Sequence, residues 1–254
     1  MDYFVEKHSV VRKIWGNSDM ILFIFAGASA EFALNKAVDW LYFTGKLPSD
    51  PLGRLFSTVS YARAIVFAER EAAYKAIDSI AAIHANVENK RGANIPDWAY
   101  RDVLFMLIDY SIRACELLDN KLSEAEKQEA FDVFYRVGVR MGLKGLPQTF
   151  TEFEKMRQEH LQENMKYSNF TKDLFLQYRK HLGAVRYRIL IESQILVMPP
   201  QVRQLLGFRH LSFLAPVIPP YRIIKKLRVD RILKALILPS AYKKQIEALD
   251  VVPY

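Results

Sequence analysis

The sequence predicts an all-α protein, a single-domain helical bundle. Apolar residues recur with the spacing of an α-helix along most of the 254-residue chain. There are 10 glycines and 11 prolines, fewer than a chain rich in β-turns or disorder would carry. Segment 105–112 (FMLIDYSI) is apolar on most sides, which is typical of a helix in the middle of a bundle.

Start and stop signals divide this pattern into helices. Asp50 precedes Pro51, which suits a first helical turn, and Ser123 has Glu126 at the spacing of a capping box. The paired prolines 199–200 end another helix. We predict helices over about 3–15, 18–43, 51–68, 70–88, 96–119, 123–143, 149–165, 169–183, 187–206 and 221–237.

Positive charge is concentrated at the carboxyl-terminal end. Of the net charge of +8, residues 216–254 supply +5, with eight Lys/Arg and three Asp/Glu. We therefore predict an all-α domain over 1–215 and a basic amphipathic extension of it over 216–254. Apolar and basic residues alternate in 221–237 as in a helix lying on an anionic membrane. A helix that packs on its own domain gives the same pattern.

The composition also limits the classes of function. The single Cys115 excludes an internal disulfide and a cysteine-based metal cluster, and we expect an inert buried thiol. The first residues lack a basic start followed by an apolar run, so we expect a cytoplasmic protein, with peripheral membrane contact through 216–244. No nucleic-acid motif accompanies the pI of 9.4, so a nucleic-acid partner is not expected.

His84 is the first candidate for chemistry. On a helix its neighbours would be Ile77, Ile80, Ala81 and Val87, an apolar stripe that contains one imidazole. A buried neutral imidazole needs a partner for each nitrogen, and a haem iron is one such partner. A core histidine bonded to a backbone carbonyl is the other interpretation, and this pattern alone favours it.

Arg54 and Thr58 stand one helical turn apart and share a face. The two-pronged guanidinium of an arginine suits a haem propionate, and a threonine hydroxyl can bond a propionate, a backbone group or a bound oxygen species. The alternative is a surface arginine near a helix start and an ordinary helical threonine, and the pair by itself favours that alternative.

The remaining ionisable residues give weaker signals. The histidines show no metal-ligand spacing, and we expect His8, His160, His181 and His210 to be solvated. Asp109 lies in an apolar helix, where a carboxylate needs a partner; we expect Arg113 to provide it.

Four segments, taken in order, resemble one protein family. These are DPLGRLFST at 50–58 (DPxxRxxxT), HANV at 84–87 (HxxV), LPQTFTEF at 146–153 (LPxTxxxF) and PPQVRQLLG at 199–207 (PxxxRxLLG). The family is the oxygenase domain shared by latex-clearing proteins (rubber oxygenases) and the MpaB-type endoplasmic-reticulum-bound oxygenases. The likeness extends from about residue 15 to about residue 210.

This resemblance implies an all-α fold with a globin-like core and one haem b. His84 would be the proximal iron ligand, and Arg54 and Thr58 would lie close to the haem and support its binding and chemistry. In such relatives the haem activates O₂ to cleave a carbon–carbon double bond of an isoprenoid chain. The expected partners are therefore O₂ and a hydrophobic, prenylated or isoprenoid, small molecule.

The sequence departs from the family at two places. Ser57 stands where rubber oxygenases carry a lysine, and Asp109 and Tyr110 stand near the place of a second family histidine. If that lysine assists the rubber reaction, this chain does not copy its role. The alternative function is a non-catalytic haem- or lipid-binding helical protein associated with membrane surfaces.

Overall fold

The computed structural model describes residues 2–45 and 49–226, and describes only the backbone of residues 51, 52, 54, 55 and 224–226. These described residues contain eleven α-helices and no strand, so the predicted all-α class is confirmed. The helices are α1 (Val10–Trp15), α2 (Ser18–Phe32), α3 (Asp39–Phe43), α4 (Pro51–Val66), α5 (Arg70–Arg91), α6 (Asp97–Leu118), α7 (Glu124–Arg140), α8 (Phe150–Glu163), α9 (Asn169–Val197), α10 (Pro200–Leu206) and α11 (Ile218–Lys226).

Helices α2 and α6 form the centre of the bundle. α2 packs along α6 and against α9, while α7 and α8 cover other sides of α6. The largest side chains of the core, Trp15, Tyr110 and Phe131, are buried in one hydrophobic cluster. Cys115 on α6 is 1% exposed, which confirms that the thiol is buried.

The predicted helix over 3–15 is wrong in its first half, because α1 begins only at Val10. Tyr3 instead forms an antiparallel bridge with Glu69, which holds the chain extended. The Ser9 hydroxyl then accepts a backbone N–H of the first turn (3.1 Å) and starts the helix.

The predicted helix over 18–43 is interrupted after Phe32. Asn35 forms an isolated bridge with Met165, and its side chain bonds both Asp102 and a backbone N–H two residues on. An asparagine that bonds its own backbone competes with helix formation. The chain therefore turns here and resumes as the short α3.

The predicted end of a helix at residue 183 is confirmed as a kink. α9 consists of two helical segments that meet at Gly183 (φ 73°, ψ 171°), and the second segment ends at Val197. Only glycine adopts this conformation at little cost. The stop predicted at prolines 199–200 is confirmed, since the residue preceding a proline avoids the α conformation, whereas the predicted extent to residue 206 is wrong because α10 is a separate helix.

Two predicted helix starts are confirmed. The Asp50 carboxylate accepts the N–H of Gly53 (2.8 Å) at the start of α4. At the start of α7, Ser123 and Glu126 form the reciprocal bonds of a capping box.

The predicted helix over 221–237 is described only in its first part. α11 begins earlier, at Ile218, and residues 227–237 lie outside the described residues. Tyr221 packs against the main hydrophobic cluster, and Arg222 donates to the carbonyl oxygen of Leu117 (2.6 and 2.9 Å). Within the described part of the chain, no helix has the length and hydropathy needed to cross a membrane.

The turn before α11 is fixed by one buried carboxylate. Glu192 on α9 accepts the guanidinium N–H of Arg209, the Ser212 hydroxyl (3.0 Å) and the backbone N–H of Phe213 (2.8 Å). Burial opposes the ionisation of Glu192, but these donors outweigh it, so the pKa of Glu192 is lowered.

Replacing Glu192 by glutamine should lower the free energy of unfolding by about 1.5–3 kcal/mol near neutral pH, the usual range for hydrogen bonds to a charged group. A lowered folded-state pKa contributes stability above the unfolded pKa of about 4.5 and loses it as pH falls through the folded value. Urea unfolding of both proteins from pH 7 to pH 3 should therefore show a difference that shrinks in acid. Glu159→Gln, at an exposed position, is the control and should change little at any pH.

Candidate functional site

His84 lies in the last third of α5, and its side chain is half-buried. Its imidazole meets the ring of Tyr100 edge to face, with the ring centroids 5.2 Å apart and an interplanar angle of 73°. Because Tyr100 is on α6, the imidazole is held between a central helix of the bundle and its neighbour.

Glu88, one turn after His84, fixes this arrangement. Its Oε1 accepts the hydroxyl of Tyr100 (3.1 Å) and the backbone N–H of Ile95 (2.8 Å) in the connection between α5 and α6. Burial and the bond to Glu88 raise the pKa of Tyr100 above its ordinary value. The phenol therefore stays protonated and donates a hydrogen bond to Glu88. Tyr100 therefore presents a fixed ring to His84.

The end of α5 is also anchored. Gly92 takes a left-handed conformation (φ 69°) and its N–H bonds the carbonyl oxygen of Glu88 (2.8 Å), which closes the helix. Arg91 bonds Asp39 on α3 (2.6 Å), and its guanidinium lies over the Trp40 ring, 4.0 Å from the centroid. These contacts attach the carboxyl-terminal end of α5, about two turns after His84, to a third helix.

The apolar stripe around His84 is only partly inside the protein. Ile77 is completely buried, but Ile80, Ala81 and Val87 are half-buried, and Ile83 is 40% exposed. The stripe thus begins in the core and reaches the surface near the imidazole.

The other two predicted site residues lie on α4, which packs against α5. Thr58 is half-buried in the middle of α4. Arg54 is in the same helix one turn earlier, and its side chain is outside the described residues. The helix of Arg54 and Thr58 and the helix of His84 are therefore neighbours.

A second group of polar residues, the buried polar cluster, lies where α2, α6 and α8 meet. Its members are Glu31, Asp102, Asp109, Tyr110, Arg157 and His160. Arg157 forms a two-pronged bond to Glu31, with its Nη1 at 2.5 Å from Oε1 and its Nη2 at 2.6 Å from Oε2. Glu31 is 0% exposed and Arg157 3% exposed, so this is a fully buried ion pair.

Asp109 connects the cluster to the surface. Its Oδ1 accepts Nε of Arg113 (2.7 Å), as predicted, and its Oδ2 accepts Nη2 of Arg157 (3.1 Å). The hydroxyl of Tyr110 donates to Oε2 of Glu31 (2.8 Å). Burial and the negative charge of Glu31 raise the pKa of Tyr110, which therefore stays a hydrogen-bond donor.

His160 is buried, so the prediction that it is solvated is wrong. Its Nε2 faces Oδ1 of Asp102, whose other oxygen accepts the amide of Asn35. Burial raises the pKa of Asp102 against the lowering effect of His160. One proton in the Asp102–His160 pair makes that pair neutral, whichever of the two residues carries it.

The remaining charges balance as well. Burial alone would lower the pKa of Arg157, but the charges of Glu31 and Asp109 raise it well above the ordinary value. Arg157 and Arg113, which bonds Asp109 from outside the cluster, set two guanidinium groups against the carboxylates of Glu31 and Asp109.

Glu31, Asp102 and His160 bring ligand-type atoms within 4.8 Å of one another, as a metal site would. Arg157 is already bonded to Glu31, and its Nη1 is 3.8 Å from Asp102. Arg157 thus already supplies a positive charge to the carboxylates at this place, and we interpret the cluster as a structural tie between α2, α6 and α8.

This cluster was not predicted, although the sequence contains a signal for it. Phe153, Arg157, His160 and Leu161 have the spacing of one helix face, and all four are buried. Glu31 breaks an otherwise apolar helix, which calls for a buried partner. Pairing these two segments, 126 residues apart, required the fold itself.

Comparison with known proteins identifies one family. Residues 12–219 match the family described as ER-bound oxygenase mpaB/B′/rubber oxygenase, catalytic domain. A search of curated proteins and a search of solved structures gave no match. The matched range includes every helix from α2 to α10 and all the candidate residues described above.

Proposed function

Because the chain belongs to the family of ER-bound oxygenase mpaB/B′ and rubber oxygenase catalytic domains, we propose that it binds haem b and uses O₂ to oxidise a hydrophobic small molecule. The proposed substrate is of the prenylated or isoprenoid class. His84 is the proposed proximal ligand of the iron, and the half-buried, fixed imidazole of this residue is the observation that carries the proposal.

The residues around His84 fit such a group in three respects. A neutral imidazole is an ordinary axial ligand of haem iron. Ile80, Ala81 and Val87 leave a half-buried apolar surface beside it, which suits a flat apolar macrocycle. The adjoining α4 supplies an arginine and a threonine, the residue types that bond propionates.

We assign the remaining roles from these residue types. Arg54 would bind a propionate through its fork of N–H donors, and Thr58 would lie beside the haem and donate its hydroxyl. Tyr100 would fix the plane of the imidazole, because its own hydroxyl is committed to Glu88.

The haem would supply the activation of O₂. The protein would bind the substrate through apolar side chains and exclude water from the reacting atoms. Since Ser57 replaces the lysine of rubber oxygenases, no proton transfer from that position is part of this proposal.

The alternative is a haem- or lipid-binding protein without turnover. It shares the His84 site but predicts no O₂-dependent product. In either case we propose that residues 216–244, in the basic extension 216–254 of the domain 1–215, contact a membrane peripherally, because the positive charge is concentrated there.

Absorption spectra of the protein titrated with hemin test the ligand assignment. The wild type should develop a Soret band, and His84→Ala should lose it or shift it, because the iron loses its protein ligand. His181→Ala, which removes an exposed histidine on α9, should behave as wild type. Full haem binding and activity in His84→Ala would contradict the assignment. Measuring O₂ consumption with candidate prenyl compounds distinguishes an enzyme from a haem- or lipid-binding protein without turnover.

A further inference from the structure

Four large apolar side chains between residues 211 and 223 are at least half exposed. We call them the 211–223 surface: Leu211 (76%), Phe213 (71%), Val217 (51%) and Ile223 (65%). Val139 and Val185 are also exposed, but each has no other exposed large apolar residue within eight positions of the sequence. Four such side chains within 13 residues favour a surface that meets an apolar partner.

The protein holds this segment in place with buried bonds. Glu192 accepts the side-chain hydroxyl of Ser212 and the backbone N–H of Phe213, and the Phe213 side chain stays 71% exposed. The guanidinium of Arg209 lies over that ring, 3.8 Å from its centroid. An aromatic ring under a guanidinium combines an apolar face with a positive charge.

Helix α11 has its inner side occupied by its own domain. Ile218 and Tyr221 pack against the main hydrophobic cluster, and Arg222 bonds carbonyl oxygens at the end of α6. Ile223 lies on the opposite side of the helix and stays 65% exposed. Contacts within the domain thus cover one face of α11 and leave Ile223 exposed on the opposite face.

The charge of the sequence around this surface favours an anionic partner. Between Glu192 and Asp230 the chain has six Lys/Arg and no Asp/Glu. A positive field attracts an anionic surface, and exposed apolar side chains gain only if that surface also has an apolar layer. Nucleic acid offers phosphates but nowhere to bury Leu211 or Phe213.

We propose that the 211–223 surface inserts Leu211, Phe213, Val217 and Ile223 into the interface of an anionic lipid membrane. The proposal rests on the peripheral membrane contact proposed above for residues 216–244, extends it back to Leu211 and Phe213, and does not depend on haem. It places the contact on a preformed surface of the folded domain.

Co-sedimentation of the full chain with phosphatidylcholine vesicles, with and without phosphatidylserine, tests this. Binding should require phosphatidylserine and should weaken with salt. The double variant Leu211→Ser/Phe213→Ser should lower the partition coefficient at least about tenfold, because two inserted side chains are lost. Its thermal unfolding should match wild type, since both residues are exposed.

The single variants Val139→Ser and Val185→Ser are matched controls, since these side chains are 53% and 75% exposed on other helices. They should bind vesicles as wild type does. No binding to phosphatidylserine vesicles, or wild-type binding by the double variant, overturns the proposal. The proposal is also overturned if light scattering shows a wild-type dimer that the double variant alone loses. A preference of the protein for duplex DNA over the vesicles would overturn it as well. None of these outcomes bears on haem binding, which the hemin titration tests separately.

Discussion

Replacing Arg157 by methionine is expected to lower the free energy of unfolding by about 3–5 kcal/mol. The substitution removes the guanidinium that makes two bonds to Glu31, which is 0% exposed and has no access to water. Breaking one side of a buried ion pair leaves a charge that neither solvent nor protein compensates. Urea unfolding followed by circular dichroism measures the change.

Arg140→Met is the matched control. Arg140 also makes a two-pronged bond, to Asp78 at 2.6 and 2.8 Å, but both partners are about half exposed. Surface pairs contribute about 0–1 kcal/mol, so this loss should be small. The double variant Glu31→Gln/Arg157→Met should recover part of the stability, because it removes the uncompensated carboxylate. Equal losses for Arg157→Met and Arg140→Met would contradict the role of burial.

Gly27→Ala is expected to destabilise the protein by about 1–3 kcal/mol, in the range of overpacked cores. A Cβ at this position of α2 would overlap the Cδ1 and Cε1 atoms of Tyr110. Tyr110 cannot move easily, because it is 0% exposed and its hydroxyl is bonded to Glu31. A shift of the ring would also disturb the buried polar cluster. Thermal unfolding should show the loss as a lower midpoint.

A double-mutant cycle with Tyr110→Leu separates the clash from the lost ring. If contact with the ring causes the effect, Gly27→Ala should cost much less in the Tyr110→Leu background than in wild type. Additive losses would instead indicate that the helical backbone of α2 is strained directly.

Much of the fold was predictable because its signals are local. Asp50 and Ser123 cap helices through atoms three residues away, so their effect can be read from the sequence. The interruption after Phe32 was not predictable, since the side chain of Asn35 is engaged by Asp102, 67 residues later. The kink of α9 was predictable as a helix end, because the positive φ of Gly183 (73°) is a local property that glycine adopts at little cost.

The candidate site also has residues that the sequence predicts and contacts that depend on the fold. His84 was recognisable from its apolar helical neighbours and from the family motif, both short-range patterns. Its contact with Tyr100 depends on how α5 meets α6, which no local pattern fixes. His160 was read as solvated because its neighbours in sequence are polar, while its neighbours in space are Asp102 and Trp98.

The buried polar cluster has a consequence for the order in which the chain folds. Its ionic bonds join residue 31 to residue 157, so the loop that closes them spans half of the chain. Closing such a loop costs conformational entropy before any contact repays it, and this slows folding. Until α8 docks, α2 and α6 cannot pack without burying unneutralised carboxylates. We therefore expect half-assembled forms to be scarce, and the helices to acquire their native packing together in one cooperative step.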